Sequence, residues 1–304
     1  MTDAPASATD VDLELLHDLL FGLRLECADS GSRVPDRYKT AQDVPVMLDA
    51  PFGPAGPMVL RFGDVLSLLF GWSTIQSAMR LSKPDHLLFD YTRLMMGFRL
   101  FLSDPTRIEM IGLGGGSLAK ACYRYLPNTD ITVIEIDPQV IGLREQFDIP
   151  PDDHRFRVIC TDGVDYVATA PESPDVLLID GFDKTGLPPA LSEQAFYDSC
   201  RARLGSHGLL VANLCDNARA FPTLVRRIAA SFDGRAIAIP AEQRGNRVVF
   251  ACADAAFPPT FDAVRLAAQN LPSRDPIDYS IKLRRIMPAL RRWPALHVSP
   301  ATSL

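Results

Sequence analysis

From Arg107 onward, short apolar runs alternate with segments of helical periodicity, and this alternation limits the fold more than any other feature of the sequence. Arg107–Gly112, Ile131–Asp137, Phe156–Cys160, Asp175–Asp180 and Gly208–Leu214 read as strands. Leu118–Tyr125, Pro138–Phe147, Ser192–Leu204 and Pro222–Phe232 read as helices. Strands separated by helices predict a mostly parallel sheet covered by helices on both faces. Two further runs, 235–239 and 247–252, are joined by a short Gly-bearing loop and predict an antiparallel pair at one sheet edge.

The chain ahead of Arg107 has a different texture. Residues 1–10 are small and polar and predict disorder. Val11–Glu26 has apolar residues at helical spacing, with a strand start as the alternative. Residues 29–57 are rich in Pro, Gly, Asp and Ser and predict loop with short extended pieces. Met58–Phe62 and Val65–Phe70 flank Gly63-Asp64, the pattern of a β-hairpin. Asp85–Phe101 is helical in pattern, and 260–304 reads as a helical, Arg-bearing tail broken by Pro. The resulting division is an N-terminal helix and loop segment (1–56), a hairpin and helix lead (57–104), an α/β Rossmann-like domain (105–258) and a basic tail (259–304).

Composition narrows the class. Asp plus Glu is 37 against 31 for Lys plus Arg, a net charge of −6. That balance argues against a general nucleic-acid binder, which needs a basic footprint, and leaves room for a small cationic ligand. With five His and no CxxC, no dedicated metal site is expected. Cys27, Cys122, Cys160, Cys200, Cys215 and Cys252 are scattered, several in apolar runs, which fits a reducing, cytoplasmic setting. Met1–Asp12 lacks the basic and apolar regions of a signal peptide. No apolar run is long enough to span a bilayer, so no membrane role is expected.

Open α/β sheets bind ligands beyond the carboxyl ends of their strands. The first strand runs into Gly112-Leu-Gly114-Gly115-Gly116-Ser117, where the backbone can approach a ligand near a helix N-terminus. The second strand ends in Glu135 and Asp137, and Glu135 stands where a carboxylate accepts ribose hydroxyls. The third ends in Asp162-Gly163, suited to an exocyclic amine, although Asp before Gly is also ordinary turn chemistry. The fourth delivers Asp180 and Asp183 over the same crevice, and paired acids suit a cationic amine and acceptance of its proton.

These motifs resemble the spermidine synthase family of polyamine aminopropyltransferases over roughly 57–253. Ile111–Ser117 resembles the family's glycine loop, with Gly112, Gly114 and Gly116, and Ile134-Glu-Ile-Asp137 its ribose-binding acidic motif. Asp162-Gly163 resembles the adenine-site pair, and Ile179-Asp-Gly-Phe-Asp183, with Gly186 and Pro188, the catalytic acid loop. Trp72–Met79 with Gln76 is similar to the strand before the amine site, Tyr91 to a substrate-site tyrosine, and Gly245–Phe250 to the late strand pair. The resemblance implies a small N-terminal β-domain, a Rossmann-like S-adenosylmethionine-dependent transferase fold and a homodimer. It implies aminopropyl transfer from decarboxylated S-adenosylmethionine to a polyamine acceptor such as putrescine, without a metal. It also implies that Asp180 and Asp183 are catalytic and bind the amine, together with Gln76 and Tyr91.

Two positions depart from that pattern. Gly115 stands where the family's glycine loop usually carries Asp, and Arg93 stands where an acid usually follows the tyrosine. Arg93 reads either as bracing its helix or as a partner for the carboxylate of intact S-adenosylmethionine. The second reading gives the alternative function, methyl or aminocarboxypropyl transfer to an amine. An NAD(P) oxidoreductase fits less well, since Ser117 replaces the third glycine of that fingerprint. A non-catalytic nucleoside-binding protein is the remaining class. The basic cluster Lys282, Arg284, Arg285, Arg291 and Arg292 reads as a solvated helix face, a dimer contact or a site for an anionic partner.

Overall fold

The computed structural model describes residues 46–49, 56–70, 75–171, 173–183, 186–215, 220–241, 245–271 and 284–291. The helix expected at Val11–Glu26, the disorder expected at 1–10, most of 29–57, Trp72, Lys282 and Arg292 lie outside these residues.

Strands β1 (Val46–Asp49), β2 (Pro57–Phe62), β3 (Val65–Phe70) and β4 (Ile75–Arg80) form an antiparallel sheet in that order. The predicted hairpin is β2–β3. Phe62 pairs with Val65 across Gly63-Asp64, and Gly63 takes the positive φ of 54° that the tight turn needs. β1 was not anticipated beyond the short extended pieces expected in 29–57.

The second sheet contains β5 (Arg107–Ile111), β6 (Asp130–Glu135), β7 (Phe156–Cys160), β8 (Val176–Ile179), β9 (Leu209–Cys215), β10 (Ala236–Pro240) and β11 (Asn246–Cys252). Its order is β10-β11-β9-β8-β5-β6-β7. β9, β8, β5, β6 and β7 are parallel, and β11 and β10 add an antiparallel edge. Helices α2 (Ser117–Tyr125), α3 (Pro138–Gly142), α4 (Gly163–Thr169), α5 (Gln194–Leu204) and α6 (Phe221–Ser231) connect the strands. Every residue of β8 is buried, as a central parallel strand covered on both faces requires. Separate apolar clusters lie on the two sides of the sheet, one including Met110, Val133 and Val211, the other Ile111, Leu177 and Ala212. Strand order reverses between β5, which leads on to β6 and β7, and β8 on its other side. That reversal opens the crevice where such sheets bind ligands.

The predicted elements shift in four places. The helix expected from Asp85 begins only at Asp90: α1 (Asp90–Met95) continues as a 3-10 turn over Met96–Leu100. Leu87 and Leu88 are non-helical and packed into different clusters, and Arg93 Nη1 takes both their carbonyls at 2.7 and 2.9 Å. An apolar run that divides between two cores imitates helical spacing. The strand expected to reach Asp137 stops at Glu135, because Asp137 caps α3 by accepting from Gln139 N at 2.8 Å. The helix expected to reach Phe147 loosens into turns after Gly142, and Lys120 takes the Phe147 carbonyl at 2.6 Å. The helix expected from Ser192 starts at Gln194, since Glu193 is extended after a 3-10 turn at Pro189–Ser192. Helix α4 was not foreseen; it starts where Asp162 accepts from Val164 N at 2.7 Å. In the tail, α7 (Phe261–Asn270) and a helix at 284–291 agree with the expected helical pattern.

The strand carrying the glycine loop is fixed from behind by a buried ion pair. Arg203 donates to both Glu109 oxygens at 2.7 and 2.6 Å and to the Ala170 carbonyl, and the Tyr166 hydroxyl donates to the same carboxylate at 3.0 Å. Arg203→Met leaves Glu109 charged without its cation in the interior, and urea denaturation is expected to register a loss of about 3–5 kcal/mol.

Lys120 makes the corresponding link to the antiparallel sheet. It is buried, and its ammonium donates to Met79 Sδ of β4 as well as to Phe147 O. Burial pulls its pKa down to about 8, against the opposing pull of Asp148 and Asp85. The unfolded chain therefore binds the extra proton between pH 8 and the ordinary lysine range, so stability rises with pH across that window. Denaturation midpoints of the native chain are expected to climb there, and those of Lys120→Met to lose that component. Equal slopes in the two proteins would refute the assignment.

Among the described residues no helix is long and apolar enough to cross a membrane and no group of three or more His, Cys, Asp or Glu could hold a metal ion. Cys122, Cys160, Cys200 and Cys252 are unbridged.

Candidate active site

The crevice at the strand reversal is one cleft. Its wall includes Gln76, Tyr91, Gly112, Gly114, Glu135, Asp162, Gly163, Asp180 and Asp183. Nine of the residues singled out from the sequence thus meet in one place, brought level by strand register: Ile111 pairs with both Ile134 and Ile179. Gly116 and Asp137 are not among the lining residues. Gly116 is the residue before α2, with φ 68°, and a Cβ there would stand 2.4 Å from Ile149. Asp137 spends its carboxylate on the α3 cap.

The glycine loop is shaped by contact as much as by conformation. Gly112 has φ 99°, and a Cβ on it would fall 2.3 Å from the Asp180 carbonyl. Any side chain would therefore push β8 and its acid away from β5. Glu135 braces the same loop: it accepts from Leu113 N and from Asp137 N, each at 2.9 Å. A carboxylate has about four acceptor positions, so these two bonds leave capacity for a ligand's hydroxyls. Asp162 Oδ1 is likewise engaged as the α4 cap.

Asp180 is the most constrained group in the cleft. It follows β8, one residue past the Ile179–Ala212 pairing, which sets it beside Asn213 of β9. Asn213 Nδ2 donates to Asp180 Oδ1 at 2.8 Å, and the Tyr91 hydroxyl donates to Oδ2 at 3.2 Å. Burial raises the Asp180 carboxyl above its ordinary value, while the bonds from Asn213 and Tyr91 pull it back down. Burial and the Asp180 charge hold the Tyr91 hydroxyl well above the usual phenol range, so it stays a donor. Asp183 closes a short turn, exchanging backbone hydrogen bonds with Gly186 at 2.9 and 3.2 Å.

Asn213 was missed by sequence reasoning. The signal was present: it is the polar residue that ends the apolar run Leu209–Ala212, in the strand beside the one bearing Asp180. It is 2% exposed, and among the described residues its Oδ1 finds no donor.

The two departures from the family pattern have structural explanations. Arg93 is turned to the carbonyls of Leu87 and Leu88 and to Asp90, 3.6 Å away, and is not among the lining residues. It braces its helix. A Cβ at Gly115 would stand 2.6 Å from Ser77 Oγ and 2.9 Å from the Phe147 ring. Ser77 and Phe147 occupy the space a side chain would need, and Ser77 Oγ lies 3.4 Å from Ser117 Oγ on the cleft wall.

The charge of the cleft is one-sided. Glu135, Asp162, Asp180 and Asp183 line it, and among the described lining residues none is Lys, Arg or His.

Comparison with known proteins agrees with this architecture. A family model for the spermine/spermidine synthase domain matches residues 88–219. A polyamine aminopropyltransferase of Neisseria meningitidis serogroup A is 36% identical over 219 residues, which is 71% of this chain and 83% of that protein. The crystal structure of a probable spermidine synthase from Corynebacterium glutamicum superposes with a TM-score of 0.60 at 19% identity, over 75% of this chain and 88% of that chain. Human methyltransferase-like protein 13, in complex with SAH, has the same fold, with a TM-score of 0.56 at 23% identity over 64% of this chain and 93% of that chain. A relative of this identity, matched over most of its own length, together with the family model across the acid-bearing strand ends, makes the chain a member of the spermine/spermidine synthase family of polyamine aminopropyltransferases.

Proposed function

We propose that this protein transfers the aminopropyl group of decarboxylated S-adenosylmethionine to a polyamine acceptor such as putrescine. The observation that carries this reading is the cleft's charge: four carboxylates and, among the described lining residues, no cation. The decarboxylated donor brings a sulfonium and an ammonium, both positive. The intact donor adds a carboxylate, which would enter among acids with no cationic partner among the described lining residues, a juxtaposition that costs several kcal/mol. Arg93, the residue that suggested intact-donor chemistry, is engaged by the Leu87 and Leu88 carbonyls and by Asp90 at the start of its helix.

The reaction needs a neutral amine, while free alkylamines are mostly protonated near pH 7. Asp180 orients the acceptor nitrogen and takes its proton, with Asp183 beside it on the same loop. The nitrogen lone pair forms a bond to the methylene carbon next to sulfur. The carbon–sulfur bond breaks, its electron pair returns to sulfur, and methylthioadenosine leaves as a neutral thioether. Tyr91 and Asn213 hold Asp180 for this step, and Gln76 and Tyr91 line the amine side. Glu135 receives the ribose hydroxyls, Asp162-Gly163 the adenine, and Gly112 and Gly114 let the backbone lie close to the donor. Gly116 and Asp137 serve the donor site indirectly, by shaping the starts of α2 and α3. No step requires a metal.

The antiparallel lead (57–104) and the α/β domain (105–258) supply the two sides of the cleft. By the family's usual pattern the chain acts as a homodimer, and the scattered cysteines support a cytoplasmic setting. The acid excess argues against nucleic acid as a partner.

Purified protein incubated with either donor and a panel of di- and polyamines tests the reading by mass spectrometry. Methylthioadenosine together with an acceptor heavier by one aminopropyl group is the expected result. S-adenosylhomocysteine, or an acceptor carrying an aminocarboxypropyl group, would assign the chain to intact-donor chemistry instead. Tight donor binding without any product would mean a nucleoside-binding protein.

A further inference from the structure

We propose that the C-terminal helix at 284–291 positions the amine side of the cleft, through Arg285 acting on α1. Helix α1 carries Tyr91 and Thr92, both on the cleft wall. It is only six residues long before it tightens into a 3-10 turn, and so short a helix is held by its contacts rather than by its own cooperativity.

Two of those contacts come from the same C-terminal helix. At the start of α1, Arg285 Nη1 lies 3.4 Å from Oδ2 of Asp90, a carboxylate that is 1% exposed and adjoins Tyr91 in sequence. The same nitrogen donates to the Pro240 carbonyl at 3.2 Å, so the guanidinium ties α1 to the end of β10. At the far end of the segment, a Cβ added at Gly97 would stand 3.6 Å from Ile286 Cδ1, and Ile286 is itself fully buried in the main core. Consecutive residues of one helix thus grip α1 and its 3-10 extension from behind. The same short segment delivers the Tyr91 hydroxyl to Asp180.

This divides the basic cluster seen in the sequence. Arg284 and Arg291 are exposed, whereas Arg285 turns inward. The matched family domain ends at residue 219, so this contact is made by a part of the chain outside it. Arg285 is a positioning residue: it touches neither the cleft nor Asp180 and acts through the placement of Tyr91.

The inference rests on the amine-site reading of Tyr91, and its test separates the two. Arg285→Gln keeps a donor for Pro240 but removes the charge that ties Asp90 to the 284–291 helix, leaving Arg93 of α1 itself beside the carboxylate; Arg285→Lys restores the charge. For Arg285→Gln, KM for the acceptor amine is expected to rise about tenfold, with a smaller fall in kcat because Asn213 still holds Asp180, and with donor KM little changed. Deuterium uptake is expected to increase across residues 88–98 and not across 117–125, and Arg285→Lys to recover most of both effects. An unchanged amine KM would overturn the proposal, whatever happens to exchange, because the contact would then be purely structural. If the native chain transfers no aminopropyl group, the amine-site reading fails by itself. Exchange across 88–98 then decides the clamp: raised uptake in Arg285→Gln upholds it and unchanged uptake overturns it.

Discussion

Asp180→Asn is expected to lower kcat by about a thousandfold while leaving donor affinity nearly intact. The substitution keeps the shape of the side chain and its neighbours Asn213 and Tyr91, but an amide has no basic lone pair for the acceptor's proton. Steady-state kinetics with the acceptor varied, beside calorimetric titration of the donor, measures both parts. Substantial turnover in Asp180→Asn would give the proton to another group and remove the role assigned to this residue. The native enzyme carries a pH signature of the same assignment. Asp180 has to be ionised to act as a base, and burial raises its pKa. Activity should therefore fall as pH drops through that raised value, and this acid limb should be missing from the residual activity of Asp180→Asn.

Asn213→Leu is expected to move that limb rather than abolish it. The Asn213 amide donates to the Asp180 carboxylate at 2.8 Å and favours its ionised form. A hydrogen bond to a charged group is worth about 1.5–3 kcal/mol, so its loss should raise the apparent acid-limb pKa by about one unit or more. On the acid limb kcat should fall by about tenfold, and the deficit should shrink at higher pH. Folding stability should fall by less than the about 1.5–3 kcal/mol of that bond, because leucine also removes Asn213 Oδ1, a buried acceptor that finds no donor among the described residues. A uniform loss of activity at every pH would mean that Asn213 matters for packing alone.

Much of the α/β domain was legible because its signals are local. β7 matches its expected bounds at Phe156–Cys160, and the β10–β11 pair lies at the predicted edge. Apolar strands and glycine exits are written in consecutive residues, and the rule that ligands bind at strand ends converts them into a site. Errors arose where a side chain competes with the backbone. Glu135 and Asp137 end β6 early by taking backbone N–H groups. Arg93 holds the carbonyls of Leu87 and Leu88 outside the helix that their apolarity suggested. Such bonds depend on what the fold brings near, and spacing alone does not reveal them.

The site was legible to a similar depth. Glu135, Asp162, Asp180 and Asp183 were singled out because they stand at or just beyond strand ends, and the fold brings all four to one cleft wall. Asn213 was not, because its importance comes from the neighbouring strand's register rather than from its own motif. Gly115 and Arg93 suggested weakened amine chemistry when read as isolated changes of charge. In three dimensions neither alters the acid lining: Ser77 fills the space at Gly115, and Arg93 is turned to the Leu87 and Leu88 carbonyls just ahead of its helix.

One reaction puts the central claim to its most direct test. The native enzyme is given equal concentrations of decarboxylated and intact S-adenosylmethionine with putrescine, and the products are counted by mass spectrometry. A cleft lined by acids, with no cation among its described residues, predicts aminopropyl-putrescine in at least about tenfold excess over any other adduct, in step with methylthioadenosine. Equal use of the two donors, or a predominance of methylated or aminocarboxypropylated putrescine, would contradict it.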